Sequence, residues 1–199
     1  LYRDNNAAPR VLQIIPDLNV GGAETMLMHL SMELNRRGLN TTVVSLWPPI
    51  HSPIEQKLKD AGINLIHLNK RPGFDIIIFF KLFILIYKLK PQVVHSHRMA
   101  LRYLLPSSLA FRAVKFIHTV HTDAPSESFL VDRLFFANIF RFGIVEPIGC
   151  SRDVGNSLSR LYKRSFHVIC NGVPAPRTQT HIYNRTGPLR IICIARFQP

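Results

Sequence analysis

The sequence is short of acidic residues and cysteines, and it lacks any long apolar segment. Only 12 Asp and Glu residues accompany 25 Lys and Arg residues, so the formal net charge is +13 at pH 7. The cysteines, Cys150, Cys170 and Cys193, are few, widely spaced and form no CxxC pair, which predicts buried, reduced thiols in a cytoplasmic protein. No apolar run reaches the roughly 18 residues that a membrane-spanning helix needs.

The excess of basic charge is spread along the chain and suits three classes of partner. These are an anionic lipid surface, a nucleic acid and a phosphate-bearing small molecule. The basic residues form no stripe interleaved with aromatic residues, as single-strand binders have. A nucleic-acid-binding module is therefore the less favoured alternative, motivated by charge alone.

Apolar runs typical of strands alternate with segments of helical spacing along most of the chain. The predicted strands cover residues 10–15, 42–46, 63–68, 93–97, 114–121, 144–150 and 166–170. Helices are predicted between consecutive strands, among them 54–61, 74–90, 99–111 and 126–142, and Ser151 is placed to cap a further helix. This order predicts an α/β fold, a Rossmann-like parallel sheet with helices on both faces.

The last part of the sequence predicts a domain boundary. Residues 174–188 are polar and contain several prolines, which is typical of a linker. Residues 189–199 include one more apolar strand that has no helix to cover it. We therefore expect residues 1–173 to form an N-terminal domain and residues 189–199 to begin a second, truncated one.

Several common enzyme motifs are missing from the sequence. No GxGxxG follows the first strand, which disfavours a nicotinamide-dependent dehydrogenase. The absence of GxxxxGK[ST] excludes a P-loop nucleotidase, and the absence of GxSxG removes the usual esterase nucleophile.

The loop after the first strand is a candidate anion site, since residues 21–24 read Gly-Gly-Ala-Glu just before a predicted helix. Glycine lets a ligand approach the backbone, and the free N–H groups of a helix N-terminus attract anions. We predict a phosphate there. The alternative is a loop whose glycines only supply positive φ.

Two histidines at the end of the fourth strand, His95 and His97, are predicted to lie on one face, because side chains alternate along a strand. Arg98 follows them directly. A metal site would need a third ligand, and no residue at a fixed spacing supplies one. Hydrogen bonding to a substrate, or support of the loop, is the favoured interpretation.

Further polar residues stand at other predicted strand ends, where ligands of an open parallel sheet bind. His121 ends the fifth strand and can reach a cleft, whereas His118 is predicted to be a hydrogen-bonded core residue. Asn171 begins a turn after the seventh strand. Arg196 ends the final predicted strand, 189–196, and its planar charged group suits a diphosphate. The structural alternatives are a plain turn at Asn171 and an exposed surface charge at Arg196.

Together these motifs resemble those of a family-four glycosyltransferase of the two-domain GT-B fold, over nearly the whole chain. The matching segments are residues 21–24 (Gly-Gly-Ala-Glu), 94–97 (Val-His-Ser-His), 119–121 (Thr-Val-His), 150–151 (Cys-Ser), 171–173 (Asn-Gly-Val) and 194–197 (Ile-Ala-Arg-Phe). The resemblance implies the N-terminal half of a GT-B fold.

The activity that the resemblance implies is a retaining transfer of a sugar from a nucleotide-sugar donor. The acceptor would be a glycan or a lipid-linked molecule in the synthesis of a cell-surface polysaccharide or glycolipid. Neither a metal nor another cofactor is implied. Another GT-B enzyme, such as a nucleotide-sugar epimerase, is an alternative.

The resemblance also implies roles for individual residues. Gly21 and Gly22 would approach the donor phosphates, with Gly22 and His121 at the reacting centre. Asn171 and Arg196 would bind the donor, with Arg196 neutralising the diphosphate. The set expected to bind the acceptor is Glu24, His97 and Arg98.

The sequence departs from the family pattern after Arg196. The family's lysine shortly after the arginine is missing, and so is its paired-glutamate motif. We therefore expect this chain to be an N-terminal fragment that by itself binds donor weakly and catalyses no measurable transfer.

The predicted helix 74–90 is unusually apolar, with Lys81 and Lys88 nearly on one face. One interpretation buries it between the sheet and its neighbours, with the lysines on a narrow exposed stripe. The other lays it in the headgroup layer of an anionic membrane, which the net charge favours. The protein is then expected in the cytoplasm, peripheral at the inner face of the cell membrane.

Overall fold

Seven parallel strands form one sheet in the computed structural model, which describes residues 8–127 and 130–172. Its order is β3-β2-β1-β4-β5-β6-β7. The strands are β1 (Arg10–Ile15), β2 (Asn40–Ser45), β3 (Asn64–His67), β4 (Val93–His97), β5 (Lys115–Val120), β6 (Val145–Gly149) and β7 (His167–Val168). Every neighbouring pair is parallel, which confirms the predicted Rossmann-like α/β fold.

Helices connect the strands as predicted, with small differences at their ends. They are α1 (Gly22–Arg36), α2 (Pro53–Asp60), α3 (Ile77–Leu89), α4 (Leu101–Ala110), α5 (Ala124–Glu127), α6 (Leu130–Arg141) and α7 (Arg152–Tyr162), with a 3-10 turn at Arg98–Ala100. The helix predicted over 126–142 corresponds to the end of α5 and to α6, and residues 128 and 129 between them lie outside the described residues. The Ser151 cap is confirmed, since its hydroxyl accepts the Val154 N–H.

The order of the strands places a crevice beside β1. From β1 the chain first runs outward through β2 and β3, and then returns to β4 on the other side and continues to β7. Right-handed connections therefore put α1 and α2 on one face of the sheet and α3, α4, α6 and α7 on the other. The direction reverses between β1 and β4, where the carboxyl ends of the strands leave room for a ligand.

A hydrophobic layer lies on each face of the sheet. Under α3, α4 and α6 it includes Leu12, Val94 and Phe140, all 2% exposed or less. Under α1 and α2 it includes Ile15 and Leu27. Burial of this apolar area provides the main driving force for folding, and it holds the carboxyl ends of the central strands in fixed register.

The prediction of buried thiols is wrong for Cys170 and only half right for Cys150, which is half-buried. Strand β7 has just two residues, both exposed, at the edge of the sheet. Cys170 therefore lies beyond the sheet and is exposed. Cys193, the predicted linker 174–188 and the predicted strand of 189–199 lie outside the described residues.

The interpretation of α3 as a buried helix is also wrong. Ile78, Leu82 and Ile86 are buried, but Phe80 and Ile84 on the opposite side are 63% and 51% exposed. A helix that packs on one face of a sheet can bury only one stripe, whatever its composition. In the part of the chain that the structure describes, none of the helices has the length and apolarity to span a bilayer.

Candidate functional site

The polar residues that the sequence singled out meet at the carboxyl ends of β1, β4 and β5. His97 ends β4, and its Nδ1 lies 3.1 Å from Nε2 of His121, just beyond β5. Arg98 follows His97 and donates from Nη1 to Oε1 of Glu24, in the first turn of α1, at 2.6 Å. This series of contacts places the Gly21 loop and His121 on the same rim of the sheet.

The two glycines of this loop allow close approach rather than a left-handed backbone. Gly21 has φ −155°, which is extended, and Gly22 is not among the residues with positive φ. A Cβ on Gly21 would clash with Oε2 of Glu24, whereas one on Gly22 would meet no atom within 4 Å. Gly21 therefore makes room for the Glu24 carboxylate, and the space beside Gly22 is open.

An ion pair links α1 to the end of β4. The Glu24 side chain is 5% exposed and contacts Arg98, whose second acidic neighbour, Asp17, lies 3.6 Å away. Arg98 has φ 53°, a left-handed conformation unusual for arginine. The ion pair holds this backbone in place, and the guanidinium remains partly exposed at the rim.

His95, His97 and His121 form a polar column across the ends of β4 and β5, and His118 lies on the opposite face of the sheet. His95 and His97 lie on one face as predicted, with ring centroids 4.1 Å apart. His95 Nε2 is 2.8 Å from Oγ1 of Thr119. His118 is 3% exposed and its Nδ1 is 2.9 Å from Oγ of Ser96, so the prediction of a hydrogen-bonded core histidine is confirmed.

Burial keeps these imidazoles neutral. It lowers the pKa of His95 and of His118 to about 3, and that of His97 well below its usual value. Burial, with a further contribution from the positive charge of Arg98, lowers the pKa of His121 to about 4. At pH 7 each ring therefore has one N–H donor and one unprotonated acceptor nitrogen.

Two residues of the site were missed by sequence reasoning. Oε2 of Glu127 accepts the backbone N–H groups of His121 and Thr122, at 2.7 and 3.2 Å, and burial raises its pKa to about 6. No sequence motif marks Glu127. Gln13 is fully buried in β1, and its Oε1 lies 2.8 Å from Nε2 of His97. Its position as a lone amide in an apolar strand was a sequence signal that could have indicated a site residue.

Asn171 lies close to this rim. Its N–H donates to the carbonyl of Cys150 at 3.3 Å, and the thiol of Cys150 lies 3.6 Å from the carbonyl oxygen of His121. Asn171 also lines a groove of about 1100 Å³ along the sheet, together with Gln13 and Thr119. Arg196 lies outside the described residues, so its place at the site stays a prediction.

The charged groups at this rim do not form a metal centre. Within residues 8–127 and 130–172, no three side chains of His, Cys, Asp or Glu are close enough together to hold a metal ion. His97 has both ring nitrogens in hydrogen bonds to Gln13 and His121. The arrangement supplies hydrogen-bond donors, acceptors and positive charge, which are the groups that recognise phosphates and hydroxyls.

The sequence matches the model of Glycosyltransferase Family 4 over residues 20–177. The match covers most of the chain and includes the loop of Gly21 and Gly22, the histidine column and Asn171. The chain belongs to this glycosyltransferase family. No curated protein is significantly similar to it in sequence.

Solved structures share the fold at low sequence identity. A glycosyltransferase from Rickettsia africae ESF-5 superposes with a TM-score of 0.65 at 22% identity, over 83% of this chain and 44% of that one. Anabaena Alr3699/HepE in complex with UDP gives 0.62 at 14%, over 82% and 44%. A Listeria monocytogenes protein assigned provisionally as a UDP-N-acetylglucosamine 2-epimerase gives 0.55 at 15%, over 81% and 44%. The chain thus spans less than half the length of these GT-B neighbours.

Proposed function

We propose that this chain provides the acceptor-side domain of a retaining glycosyltransferase. The enzyme would take a sugar from a nucleotide-sugar donor and transfer it to a glycan or lipid-linked acceptor, in the synthesis of a cell-surface polysaccharide or glycolipid. The observation that carries the proposal is the continuous series of contacts from His121 through His97, Arg98 and Glu24 to the Gly21 loop. A neighbour, Anabaena HepE, was solved with UDP and glucose, which supports a nucleotide-sugar donor.

The N-terminus of α1 is the proposed site of the donor diphosphate. When the sugar leaves, negative charge builds on that diphosphate, and donors aimed at it stabilise the transition state. The space beside Gly22 is open, and a diphosphate there would meet the backbone N–H groups and the positive end of the α1 dipole. Arg196 and Asn171 are proposed to complete this donor subsite.

His121 is the proposed contact to the donor sugar. His121 is neutral and lies at the rim. We assign the reacting centre to His121 and Gly22. Arg98, which is partly exposed, is proposed to face the acceptor, and Glu24, whose side chain is 5% exposed, is proposed to act with it through their ion pair. His97 is fully buried, so we propose that it acts on the substrates through His121. We propose that the reaction needs no metal and no other cofactor.

A donor-binding measurement tests this proposal in the chain itself. Nucleotide sugars with uridine, guanosine and thymidine bases are screened by saturation-transfer NMR. We expect weak binding of at least one of them, lost in Gly22→Val and His121→Ala and retained in His167→Ala, which removes an exposed histidine of β7. Equal binding by the native chain and all the variants would contradict the proposed site. So would the absence of binding by any of them, the native chain included.

Transfer itself is measured on the full-length gene product. We expect His121→Ala to lower the rate at least tenfold, and the isolated 199-residue chain to show no measurable transfer. Incubation with donor alone separates the alternatives, because an epimerase converts the donor sugar without any acceptor. Conversion of that kind would favour the epimerase, and rapid transfer by the isolated chain would contradict the expected need for a second domain.

We also propose that one surface of α3 binds an anionic membrane. The residues that form this α3 surface recur every three or four positions from the residue before the helix onward, and all are more than half exposed: Ile76, Phe80, Ile84 and Tyr87. Lys88 lies along its edge, where its positive charge can contact anionic lipid headgroups. The net charge of +13 matches an anionic lipid surface, and a lipid-linked acceptor would be presented there. The protein would then be cytoplasmic and peripheral at the inner face of the membrane.

Vesicle sedimentation tests the α3 surface. At low salt we expect the chain to sediment with phosphatidylglycerol vesicles more than with phosphatidylcholine vesicles. Phe80→Ser with Ile84→Ser should reduce the bound fraction several-fold, while Ile50→Ser, an exposed apolar residue before α2, should leave it unchanged. Equal sedimentation with both lipids would contradict the proposal.

A further inference from the structure

A continuous series of hydrogen bonds runs from the core of the sheet to His121. Gln13 lies in the middle of β1, His97 ends β4, and His121 lies just beyond β5, so three neighbouring strands contribute one residue each. The distances are 2.8 Å from Gln13 Oε1 to His97 Nε2, and 3.1 Å from His97 Nδ1 to His121 Nε2. Gln13 and His97 are fully buried.

The orientation of the Gln13 amide fixes the direction of the whole series: Oε1 faces His97, and Nε2 is buried without a partner among the described residues. A carbonyl oxygen can only accept, so His97 must donate from Nε2 to Gln13. His97 is neutral, because burial and the repulsion of neighbouring histidines lower its pKa. Its Nδ1 therefore has no proton and accepts from His121, whose single proton must lie on Nε2.

We infer that Gln13 and His97 are positioning residues, which hold His121 as the neutral tautomer protonated on Nε2 and leave Nδ1 of His121 as an acceptor at the rim. Among the described residues, His121 Nδ1 has no hydrogen-bond partner. The backbone N–H of His121 is fixed separately by the carboxylate of Glu127, at 2.7 Å. Ring and backbone of His121 are thus both held before any ligand arrives.

The tautomer restricts which group of a ligand can contact His121. An unprotonated ring nitrogen accepts a hydrogen bond from a hydroxyl, but it offers no proton to a phosphate oxygen. On the proposed function, His121 therefore receives a hydroxyl of the donor sugar, and the diphosphate contacts α1 instead. The site would thus distinguish the sugar from the diphosphate of the donor, because the sugar hydroxyl donates a hydrogen bond and the diphosphate accepts them.

The charged surroundings agree with this state of His121. Arg98 lies on the same rim and lowers the pKa of His121, so a second proton on the ring is disfavoured. The other buried imidazoles, His95 and His118, have hydrogen-bond partners of their own, Thr119 and Ser96. They therefore do not compete for Nε2 of His121.

The experiment reads the ring protons directly in the chain without ligand. With ¹⁵N-labelled histidine at pH 7, ¹H–¹⁵N NMR correlation distinguishes protonated from unprotonated ring nitrogens, and His121→Gln assigns the signals of His121. We expect a slowly exchanging proton on Nε2 of His121 and another on Nε2 of His97, with both Nδ1 atoms unprotonated. A proton on Nδ1 of His121 in the native chain would overturn the inference, whatever the variants do.

Variants test the role of each positioning residue. Gln13→Leu should abolish the slowly exchanging Nε2 proton of His97 and weaken that of His121, while Gln13→Glu, which retains an acceptor oxygen, should keep both. His97→Phe should abolish the His121 proton signal, and His97→Asn, whose side-chain oxygen can take the place of Nδ1, should restore it. Ser96→Ala is the matched control, because it alters only the signals of His118. Unchanged His121 signals in folded Gln13→Leu and His97→Phe would refute the positioning roles.

The inference about the tautomer and the proposed function fail separately. If the ring protons are found as expected but the full-length gene product shows no transfer, only the proposed function is contradicted. Transfer that depends on His121, together with a proton on Nδ1, would contradict the inference and leave the glycosyltransferase assignment in place.

Discussion

At the scale of single residues, the site depends on a buried charged group and its ion-pair partner. Glu24 is almost fully buried and has Arg98 as its ion-pair partner. A side chain at position 21 would clash with the Glu24 carboxylate, which lies where its Cβ would be. Breaking a partly buried charge pair costs more than its net contribution, since the remaining charge stays desolvated. Small changes near this pair should therefore have measurable effects.

A pair of glycine variants tests this close approach. Gly21→Ala should displace the Glu24 side chain, weaken its contact with Arg98 and lower the free energy of unfolding by about 1 kcal/mol. Gly22→Ala meets no atom within 4 Å and lies in a helix, so its effect should stay within about 0.5 kcal/mol. Urea unfolding of both variants measures the difference. Equal stability of the two would show that the Glu24 contact is unimportant.

At the scale of elements, the packing of α7 on the sheet depends on backbone contact. A Cβ on Gly149, at the end of β6, would lie 2.7 Å from the backbone N and 2.9 Å from Cα of Gly155 in α7. Backbone atoms cannot move aside without shifting the whole helix. A Cβ on Gly155 would instead meet the side chain of Val168, which lies in the short edge strand β7.

Alanine at these two glycines should therefore have unequal effects. Gly149→Ala should destabilise the protein by about 2 kcal/mol, in the range of overpacked cores. Gly155→Ala should cost less, because Val168 can adjust and alanine favours a helix. Thermal unfolding of both variants provides the test, and a smaller loss for Gly149→Ala would contradict the backbone-contact explanation.

At the scale of the whole molecule, the buried histidines tie stability to pH. A histidine whose folded pKa is lowered binds fewer protons than in the unfolded chain, so it stabilises the fold above pH 6.5, and this stabilisation is lost as the pH falls toward the folded pKa. His95 and His118, with pKa values of about 3, and His121, at about 4, all act in this direction. Glu127 acts oppositely between pH 4.5 and about 6, because its pKa is raised.

We therefore expect the urea midpoint of unfolding to fall from pH 7 to pH 5, since the histidines outnumber Glu127. Glu127→Gln removes the opposing group, so this variant should lose stability more steeply over the same interval than the native chain. Measurements at pH 7, 6 and 5 on both proteins provide the comparison. A midpoint that rises toward pH 5 would contradict the burial of neutral imidazoles.

Much of the fold could be predicted because it depends on local pattern. Strands β1 and β4 match their predicted bounds, and most of β1 is apolar because both faces of a parallel sheet are covered. The exposure of α3 and of Cys170 could not be predicted. It depends on what lies against each element, which spacing along the chain does not contain.

The sequence by itself determined the parallel α/β sheet, the polar residues at its strand ends and the resemblance to the family, because periodicity and motif order are properties of the chain. Only the tertiary structure decided that Gln13 contacts His97, that Glu127 holds the backbone of His121, and that one side of α3 faces outward. These contacts join residues from different elements, and several are distant in sequence. They arise when the core sets the register of β1, β4 and β5, which packing in three dimensions alone can do.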